Sequence, residues 1–336
     1  MAAPYSSTGA VKMQVYLAHM PAAPAVGYLR GLLDAGIEIT FGDTPPDPAH
    51  YTILVSGRPS EALLRASPQL RALIIPFAGV PEGTQTLLAD FPALAVHNLH
   101  HNSAATAEMA ITLLLSAAKR IVPADRDFRA HDWSPRHDPM PMLRLAGKTA
   151  LILGYGAVGQ RVARLCAALD MRVIVMKRTL PATPMPHEVY TPDALPDLLP
   201  QAQALIICLP GTPQTTGLIG ARELALLPPE AVLVNVGRAA VVDGAALYEA
   251  LRAGMLGAAG LDVWYSYPTT VEARAHHPPA EWPFHELDNM VMSPHRAGGV
   301  GTGEIEEARM RALAELLNAA ARGAPMPNRV NREFGY

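Results

Sequence analysis

Three glycines stand at residues 154–159 in the spacing that binds the pyrophosphate of a dinucleotide. A short apolar run typical of a strand comes directly before them, and the spacing of an amphipathic helix follows. In this context Gly154 would make a tight turn, Gly156 would let the backbone approach phosphates, and Gly159 would allow close helix packing. The helix amides and dipole would face the anion. The motif therefore predicts a Rossmann dinucleotide site.

The residues after the next strand indicate which dinucleotide is bound. Lys177, Arg178 and Thr179 stand where a carboxylate usually holds the ribose hydroxyls of NAD. Two cations and a hydroxyl suit the additional 2′-phosphate of NADP. These residues favour NADP(H) as the cofactor, with NAD(H) as the alternative if both cations are only solvated.

Two alternations of strands and helices would position these residues. In the first, strands are predicted at residues 12–17, 51–55 and 72–75, with helices at residues 28–35 and 60–66. In the second, strands are predicted at residues 149–153, 172–176, 204–209, 231–236, 258–263 and 290–292, with helices between them, including residues 160–170. The remaining predictions are one long helix at residues 103–122, a loop-rich stretch at residues 123–147, and an amphipathic helix at residues 303–322 that returns to the first domain.

This alternation predicts the α/β fold class, with two doubly wound, Rossmann-like domains built on parallel sheets. Residues 1–101 and 297–336 would form a flavodoxin-like substrate domain. Residues 102–296 would form the NAD(P)-binding Rossmann domain.

The composition supports two buried cores and argues against several classes of partner. The chain has 336 residues, 50% of them apolar and 17% charged, with a net charge of −3. This charge gives no general attraction to nucleic acid or anionic membranes. No apolar run approaches the roughly 20 residues that span a bilayer, and residues 1–10 do not resemble a signal peptide. Cys166 and Cys208 lie in apolar stretches, as expected for reduced thiols of a cytoplasmic protein.

Further distinctive segments follow one another along nearly the whole chain. They are residues 77–80, 102–108, 145–148, 209–219, 234–243, 260–263, 293–295 and 331–336. In type and order they resemble the D-isomer-specific 2-hydroxyacid dehydrogenase family, which includes glyoxylate and hydroxypyruvate reductases. The resemblance implies hydride transfer from NADPH to a small 2-oxo acid of the glyoxylate or hydroxypyruvate class, giving the 2-hydroxy acid. It also implies a homodimer formed through the cofactor domains.

The same resemblance implies roles for particular residues. Arg238 would bind the substrate carboxylate as a bidentate fork and polarise the adjacent carbonyl. His295 would be the general acid that protonates the carbonyl oxygen, or the base in the reverse direction. The other implied contacts to the substrate carboxylate are the backbone amides of Ala78, Gly79 and Val80.

The resemblance also assigns contacts to the cofactor. Asp262 would contact the nicotinamide amide, and Thr106 would lie against the nicotinamide ring. Asn102 would contact the substrate or only cap the following helix. The full set of predicted cofactor contacts is Thr106, Gly154, Gly156, Ala157, Val158, Gly159, Lys177, Arg178, Thr179, Leu209, Pro210, Thr215, Val236, Gly237, Arg238, Asp262, His295, Ala297 and Gly298.

One position departs from the family. The family has a catalytic glutamate five residues after the aspartate that corresponds to Asp262, and here that position is Tyr267. The glutamate stabilises the protonated imidazole and raises its pKa, whereas tyrosine is neutral below about pH 10 and can only orient the ring. Arg296, if it points inward, would favour the neutral imidazole further. We therefore predict that Tyr267 takes the third catalytic place and that reduction is favoured at acidic pH.

The substitution leaves two other functions open. The protein could bind NADP(H) as a sensor or weakly catalytic homologue, or it could act on another small anion of the formate or phosphite class. Formate dehydrogenases, a branch of the same superfamily, also have a neutral residue at the position of Tyr267 and an asparagine at that of Asn102. His97, His100 and His101 lack a further carboxylate or cysteine ligand in a recognisable motif, so no metal site is predicted.

Overall fold

The computed structural model describes residues 12–137, 140–299 and 302–336. One structural unit contains the described residues of Met1–Asn102 and Gly301–Tyr336, and a second contains those of Ser103–Val300. The described residues form one parallel sheet of five strands and one of seven. The predicted α/β class with two doubly wound domains is confirmed, and the functions assigned to the two units stay predictions.

The first unit alternates strands and helices along the chain. Its elements up to Asn98 are β1 (Met13–Leu17), α1 (Ala23–Leu32), β2 (Ile37–Phe41), β3 (Ile53–Val55), α2 (Glu61–Ala66), β4 (Ala72–Ile75), α3 (Glu82–Leu88) and β5 (Ala95–Asn98). The order β2-β1-β3-β4-β5, with every pair parallel, is the predicted flavodoxin-like order. The two edge strands β2 and β5 were not predicted from the sequence, and α1 was predicted at residues 28–35. The helix begins earlier because Pro24 is well tolerated in a first helical turn.

The second unit carries the longer sheet. Its elements are α4 (Ser103–Ala118), α5 (Ile121–Arg129), α6 (Ser134–His137), β6 (Thr149–Leu153), α7 (Ala157–Ala168), β7 (Arg172–Met176), β8 (Glu188–Tyr190), α8 (Leu195–Leu198), β9 (Ala204–Ile207), α9 (Ala221–Leu226), β10 (Val232–Asn235), α10 (Gly244–Arg252), β11 (Ala258–Leu261) and β12 (Met290–Met292). The strand order is β12-β11-β10-β9-β6-β7-β8, with all pairs parallel. The order reverses between β6 and β9, which is where an open α/β sheet binds its ligand.

The prediction of one long helix at residues 103–122 is wrong, because α4 ends at Ala118 and α5 begins at Ile121. Arg120 has φ +54°, a left-handed conformation that a continuous helix does not contain. Its guanidinium Nη2 donates to the carbonyl oxygen of Gly257 at 2.7 Å, and Lys119 Nζ donates to that of Leu143 at 2.9 Å. These bonds hold the turn, so α5 and α6 occupy part of the stretch that was predicted as loop.

The helix α11 (Gly303–Ala321) belongs to the first unit. Thr302 accepts a hydrogen bond from the amide of Ile305 and caps its first turn. Met310, Leu313 and Leu317 are buried in a core with β1 and α1. Because these side chains recur on one face, the amphipathic pattern is explained by packing. Among the helices of the described residues, none has the length and apolar character needed to cross a bilayer.

Candidate active site

The glycine loop joins β6 to α7 at the point where the sheet order reverses. Gly154 has φ +97°, and a Cβ there would lie 2.9 Å from the carbonyl oxygen of Cys208. A Cβ on Gly159 would overlap the carbonyl oxygen of Gly154, so α7 can begin this close to the loop only with glycine. Gly156 faces space free of other described residues within 4 Å. The loop therefore fits a pyrophosphate bound at the start of a helix.

The two cations predicted to bind a 2′-phosphate follow β7, beside the glycine loop. The amide of Gly154 donates to the carbonyl oxygen of Met176, the last residue of β7, at 2.9 Å. Lys177 is half-buried, and its amide donates to the carbonyl oxygen of Tyr190 in β8 at 3.0 Å. Arg178 and the threonine after it are exposed. The groups present fit a dinucleotide with a phosphorylated ribose.

The loops after β9 and β10 pack directly against each other. A Cβ on Gly237 would overlap the carbonyl oxygen of Leu209, so glycine lets the loops approach. Thr215 donates its hydroxyl to the carbonyl oxygen of Pro210 at 2.7 Å, and the amide of Val236 donates to Ile207 in β9 at 3.2 Å. Thr215 therefore shapes the loop that was predicted to contact the cofactor.

Asn235 fixes the backbone from which the Arg238 side chain projects. It is 1% exposed at the end of β10, its Oδ1 accepts from the amide of Gly237 at 2.9 Å, and its Nδ2 donates to the carbonyl oxygen of Arg238 at 2.9 Å. Arg238 Nη1 donates to the carbonyl oxygen of Gly237 at 2.8 Å. Among the described residues no acceptor is bonded to the other guanidinium nitrogens of Arg238. They can therefore bind a carboxylate as a fork.

Asp262 holds the loop that carries His295. The carboxylate is 1% exposed and accepts three hydrogen bonds. They come from Ser293 Oγ at 2.5 Å, the amide of Arg296 at 2.8 Å and the amide of Ala297 at 2.9 Å. Asp262 thus fixes the backbone on both sides of the histidine, and its predicted contact to a nicotinamide amide stays a prediction.

His295 has φ +56°, a left-handed conformation that residues other than glycine adopt infrequently. Its amide donates to the carbonyl oxygen of Ser293 at 2.9 Å, and the indole Nε1 of Trp264 donates to the same oxygen at 2.7 Å. The hydroxyl of Thr106, on α4, donates to the carbonyl oxygen of Ala297 at 3.4 Å. Trp264 and Thr106 therefore both hold the loop within the second unit.

Tyr267 lies against the imidazole without being hydrogen-bonded to it. The ring centroids of Tyr267 and His295 are 5.5 Å apart, with an angle of 51° between the planes. The Tyr267 hydroxyl oxygen accepts a hydrogen bond from the amide of Trp264 at 2.9 Å. The hydroxyl thus secures its own loop, and the ring packs beside His295.

The surroundings of His295 favour its neutral form. Desolvation lowers the pKa of His295, Arg238 lowers it further, and the negative charge of Asp262 opposes both. Arg238, and not Arg296 as the sequence suggested, is thus the cation that acts on the imidazole. Desolvation also raises the pKa of Tyr267, so this side chain stays neutral.

The predicted residues of the second unit meet at one edge of its sheet. Parallel strands place their carboxyl ends together, and the loops after β6, β7, β9, β10, β11 and β12 all begin there. Thr106 reaches this group from α4, as its bond to the His295 loop shows. The members are Thr106, Gly154, Gly156, Ala157, Val158, Gly159, Lys177, Arg178, Thr179, Leu209, Pro210, Thr215, Val236, Gly237, Arg238, Asp262, Tyr267, His295, Ala297 and Gly298.

In the first unit, the loop that was predicted to bind the substrate carboxylate through its backbone amides follows β4. Asn98 Nδ2 donates to the carbonyl oxygen of Ala78 at 2.6 Å, which ties this loop to the end of β5. Among the described residues, no backbone carbonyl accepts from the amides of Ala78, Gly79 and Val80. Three consecutive free amides can bind an anion. Asn102 lies four residues beyond the end of β5.

The three histidines before α4 lie within the first unit. His97 is buried, and its Nδ1 is 2.8 Å from the carbonyl oxygen of Pro327, so it holds the C-terminal segment. Burial, Arg309 and His100 together lower the pKa of His101 to about 4. Within the described ranges no three side chains of the metal-binding types are arranged to hold an ion.

The supporting hydrogen bonds of three side chains were not predicted from the sequence. Asn235, Trp264 and Ser293 all lie in or beside the segments that resemble the family. Asn235 had a detectable signal, because a polar amide at the end of a strand of four buried residues must find partners. For Trp264 and Ser293 no sequence signal shows that they meet, since 29 positions separate them.

The fold and the glycine loop define a dinucleotide-binding protein of the Rossmann class. The sequence profile of the D-isomer specific 2-hydroxyacid dehydrogenase NAD binding domain matches residues 111–297. The chain belongs to this family, which confirms the resemblance, and it is an oxidoreductase. The place of Tyr267 within the family pattern stays a prediction.

Individual relatives agree with this membership. The chain is 39% identical over 234 residues to a glyoxylate reductase of Aeropyrum pernix, covering 68% of this chain and 67% of the relative. It is 33% identical over 230 residues to a D-3-phosphoglycerate dehydrogenase of Archaeoglobus fulgidus, covering 68% of this chain but only 41% of that protein. A D-isomer specific 2-hydroxyacid dehydrogenase of Xanthobacter autotrophicus Py2, solved with NADPH and MES, superposes with a TM-score of 0.76 and 26% identity. The match covers 97% of this chain and 100% of that one.

Proposed function

We propose that this protein uses NADPH to reduce a small 2-oxo acid, of the glyoxylate or hydroxypyruvate class, to the 2-hydroxy acid. The observation that carries the proposal is the placement of Arg238 and His295 at the sheet edge that also bears the glycine loop. An anion fork and a proton donor beside a dinucleotide site are the groups that this reaction needs. The family and the Aeropyrum glyoxylate reductase support the substrate class.

Arg238 anchors the substrate in this proposal. Its free guanidinium nitrogens bind the carboxylate, and Asn235 holds the backbone so that the fork keeps its direction. We propose that the free amides of Ala78, Gly79 and Val80 bind the same carboxylate, and that Asn102 contacts the substrate. Orientation of this kind lowers the entropy that must be lost at the transition state.

His295 supplies the proton. The bound nicotinamide supplies the hydride, and the imidazolium N–H donates its proton to the carbonyl oxygen as the oxygen becomes negative. In the reverse direction the neutral imidazole accepts the hydroxyl proton. Asp262 keeps the imidazole in place through the three hydrogen bonds that fix its loop. Tyr267 provides a neutral ring beside it.

NADP(H) is the preferred cofactor in this proposal, with NAD(H) as a poorer one. Lys177 and Arg178 follow the strand end where a carboxylate would select NAD. The complex of the Xanthobacter relative with NADPH supports the same choice. The remaining predicted cofactor contacts, including Thr106 and Asp262, belong to the same proposal.

Initial rates of NADPH and NADH consumption with glyoxylate, hydroxypyruvate, pyruvate and phenylpyruvate test the proposal. We expect turnover with at least one substrate, at about 1 per second or faster, and a preference for NADPH. Tight binding of NADPH without turnover of any 2-oxo acid would contradict it and favour an NADP(H) sensor. Turnover of formate or phosphite, without turnover of any 2-oxo acid, would favour a dehydrogenase that acts on one of these other small anions.

We further propose that the protein is a cytoplasmic homodimer formed through the second unit. Apolar side chains are exposed on α5 and in the loops on either side of α6, namely Ile121 at 53%, Phe128 at 54%, Trp133 at 57% and Met142 at 64%. Exposed apolar patches of this kind mark interaction surfaces. The free thiols of Cys166 and Cys208 suit a reducing compartment. Light scattering that gives a monomer mass would contradict the dimer, and cell fractionation tests the compartment.

A further inference from the structure

The one carboxylate that acts on His295 within the described residues is not able to relay a proton. Asp262 is 1% exposed and accepts bonds from one hydroxyl and two backbone amides. Its charge raises the pKa of His295, but this effect is smaller than that of desolvation. Asp262 therefore fixes the position of the histidine without supplying protons to it.

Two further described side chains act on or contact the imidazole, and neither carries a negative charge. The ring of Tyr267 packs beside it at 5.5 Å, and the Tyr267 hydroxyl accepts from the amide of Trp264. Arg238 acts on the imidazole as a cation. Near neutral pH the imidazole nitrogen that faces a substrate is therefore a hydrogen-bond acceptor more often than an acid.

Such a site suits a substrate that brings its own proton. Reduction of a carbonyl leaves an alkoxide, which must take a proton from the protein. Reduction of a protonated C=N bond leaves a neutral amine, and the proton is already on the nitrogen. The N–H of this iminium group needs an acceptor, and a neutral imidazole can accept its hydrogen bond whereas an imidazolium cannot.

We propose that the same site also reduces 2-iminium acids, which form when a 2-oxo acid condenses with ammonia or a small primary amine. Arg238 binds the carboxylate as in the proposed function, on which this inference rests. His295 accepts the hydrogen bond of the iminium N–H, and the ring of Tyr267, which packs beside His295, would place an aromatic group near the cationic nitrogen, where it is favourable.

The step balances without a proton from the enzyme. Hydride from the nicotinamide reductant adds to the carbon of the C=N bond, and the π electron pair moves to nitrogen and cancels its charge. The product is a 2-amino acid, N-substituted when the amine is substituted. The amine then exchanges protons with water.

The test compares NADPH consumption by the wild-type protein with glyoxylate or pyruvate, alone and with methylamine, at about pH 8.5, where a histidine is mostly neutral. We expect methylamine to raise the rate by about tenfold or more. Mass spectrometry should then identify the N-methyl amino acid as the main product. An unchanged rate with only the hydroxy acid as product would overturn this inference and leave the proposed function standing. If NADPH is not consumed with or without amine, even at acidic pH, both this inference and the proposed function are wrong.

Two variants separate the role of acid from the role of acceptor. His295→Gln keeps a hydrogen-bond acceptor but has no acidic proton. We expect it to lose carbonyl reduction by about a hundredfold or more and to keep most of the amine-dependent reduction. His295→Leu, its matched control, has no acceptor and should lose both. Equal losses of the two reactions in His295→Gln would contradict the acceptor role.

A readout independent of turnover is the NMR titration of His295, assigned by comparison with His295→Gln. We expect its imidazole signal to report the neutral form at neutral pH, and its pKa to lie below the ordinary value of 6.5. A pKa above that value would remove the physical basis of the inference.

Discussion

A carboxylate introduced beside His295 should move the pH dependence of reduction to higher pH. In the wild-type protein Tyr267 lies with its ring centroid 5.5 Å from that of His295 and carries no charge. The variant Tyr267→Glu places a negative charge in the same region, where it favours the imidazolium. The protein as it stands lacks this charge, and its His295 has a pKa below the ordinary value.

The size of the effect follows from the distance. Two unit charges 5.5 Å apart interact with about 3 kcal/mol at an effective dielectric constant of about 20. His295 is exposed, so screening by solvent leaves about half of this energy, which corresponds to about one pKa unit. Reduction needs the protonated imidazole and declines as the pH rises through its pKa. In Tyr267→Glu this decline should therefore occur about one pH unit higher, with about tenfold faster reduction above it.

The assay is the pH profile of kcat/KM for the best 2-oxo acid, from about pH 5 to 9. Tyr267→Gln is the matched control, because it has nearly the same shape as the glutamate and no charge. We expect the control to keep the low-pH decline of the wild-type protein. Superimposable profiles of Tyr267→Glu and Tyr267→Gln would refute the electrostatic reasoning.

Three further predictions concern the cofactor, the histidine loop and acid stability. The double variant Lys177→Ala and Arg178→Ala should raise the KM for NADPH by about tenfold to a hundredfold and leave that for NADH nearly unchanged, measured by initial rates, since only NADPH has the 2′-phosphate. Trp264→Phe removes the indole bond to the histidine loop, so kcat should fall by about tenfold while the thermal midpoint changes little; an unchanged kcat would show that the indole bond does not position the histidine. The pKa of half-buried His101 is lowered to about 4 from 6.5, so the unfolded chain binds more protons between these values and stability falls as the pH decreases through them, by about 2 kcal/mol after screening. Urea unfolding at both ends of this range should therefore show a smaller pH effect in His101→Asn than in the wild-type protein, and an equal effect would contradict the prediction.

The sequence alone predicted those elements that have a strong apolar or glycine pattern. The buried strands and the glycine loop around β6 have local signals, because a parallel strand covered on both faces is continuously apolar and the loop needs glycine at fixed positions. The edge strands β2 and β8 escaped prediction since exposed polar side chains break their apolar run. The strand β5 escaped it because its buried His97 and Asn98 are polar. The end of α4 also escaped it, because the turn depends on the bond from Arg120 to the distant Gly257.

In the candidate site, too, the sequence predicted some features and not others. Arg238 and His295 were predicted because they stand in long segments of family type. Their support was not, because it consists of bonds between segments far apart in the chain, such as Trp264 to Ser293. The role of Arg238 as the cation acting on His295 is equally non-local, whereas the sequence pointed to the adjacent Arg296.

The arrangement separates the position of the catalytic histidine from its charge. Asp262 uses its carboxylate to hold the Ser293 hydroxyl before His295 and the amides of Arg296 and Ala297 after it. Trp264 holds the carbonyl group of Ser293. Geometry is thereby fixed whether the imidazole is protonated or neutral, since neither set of bonds involves its ring nitrogens. A single substitution at Tyr267 can therefore change the proton chemistry without displacing the histidine. If carbonyl and C=N reduction compete in this site, their ratio should follow the charge at position 267 while the affinity for the carboxylate, set by Arg238 and Asn235, stays the same.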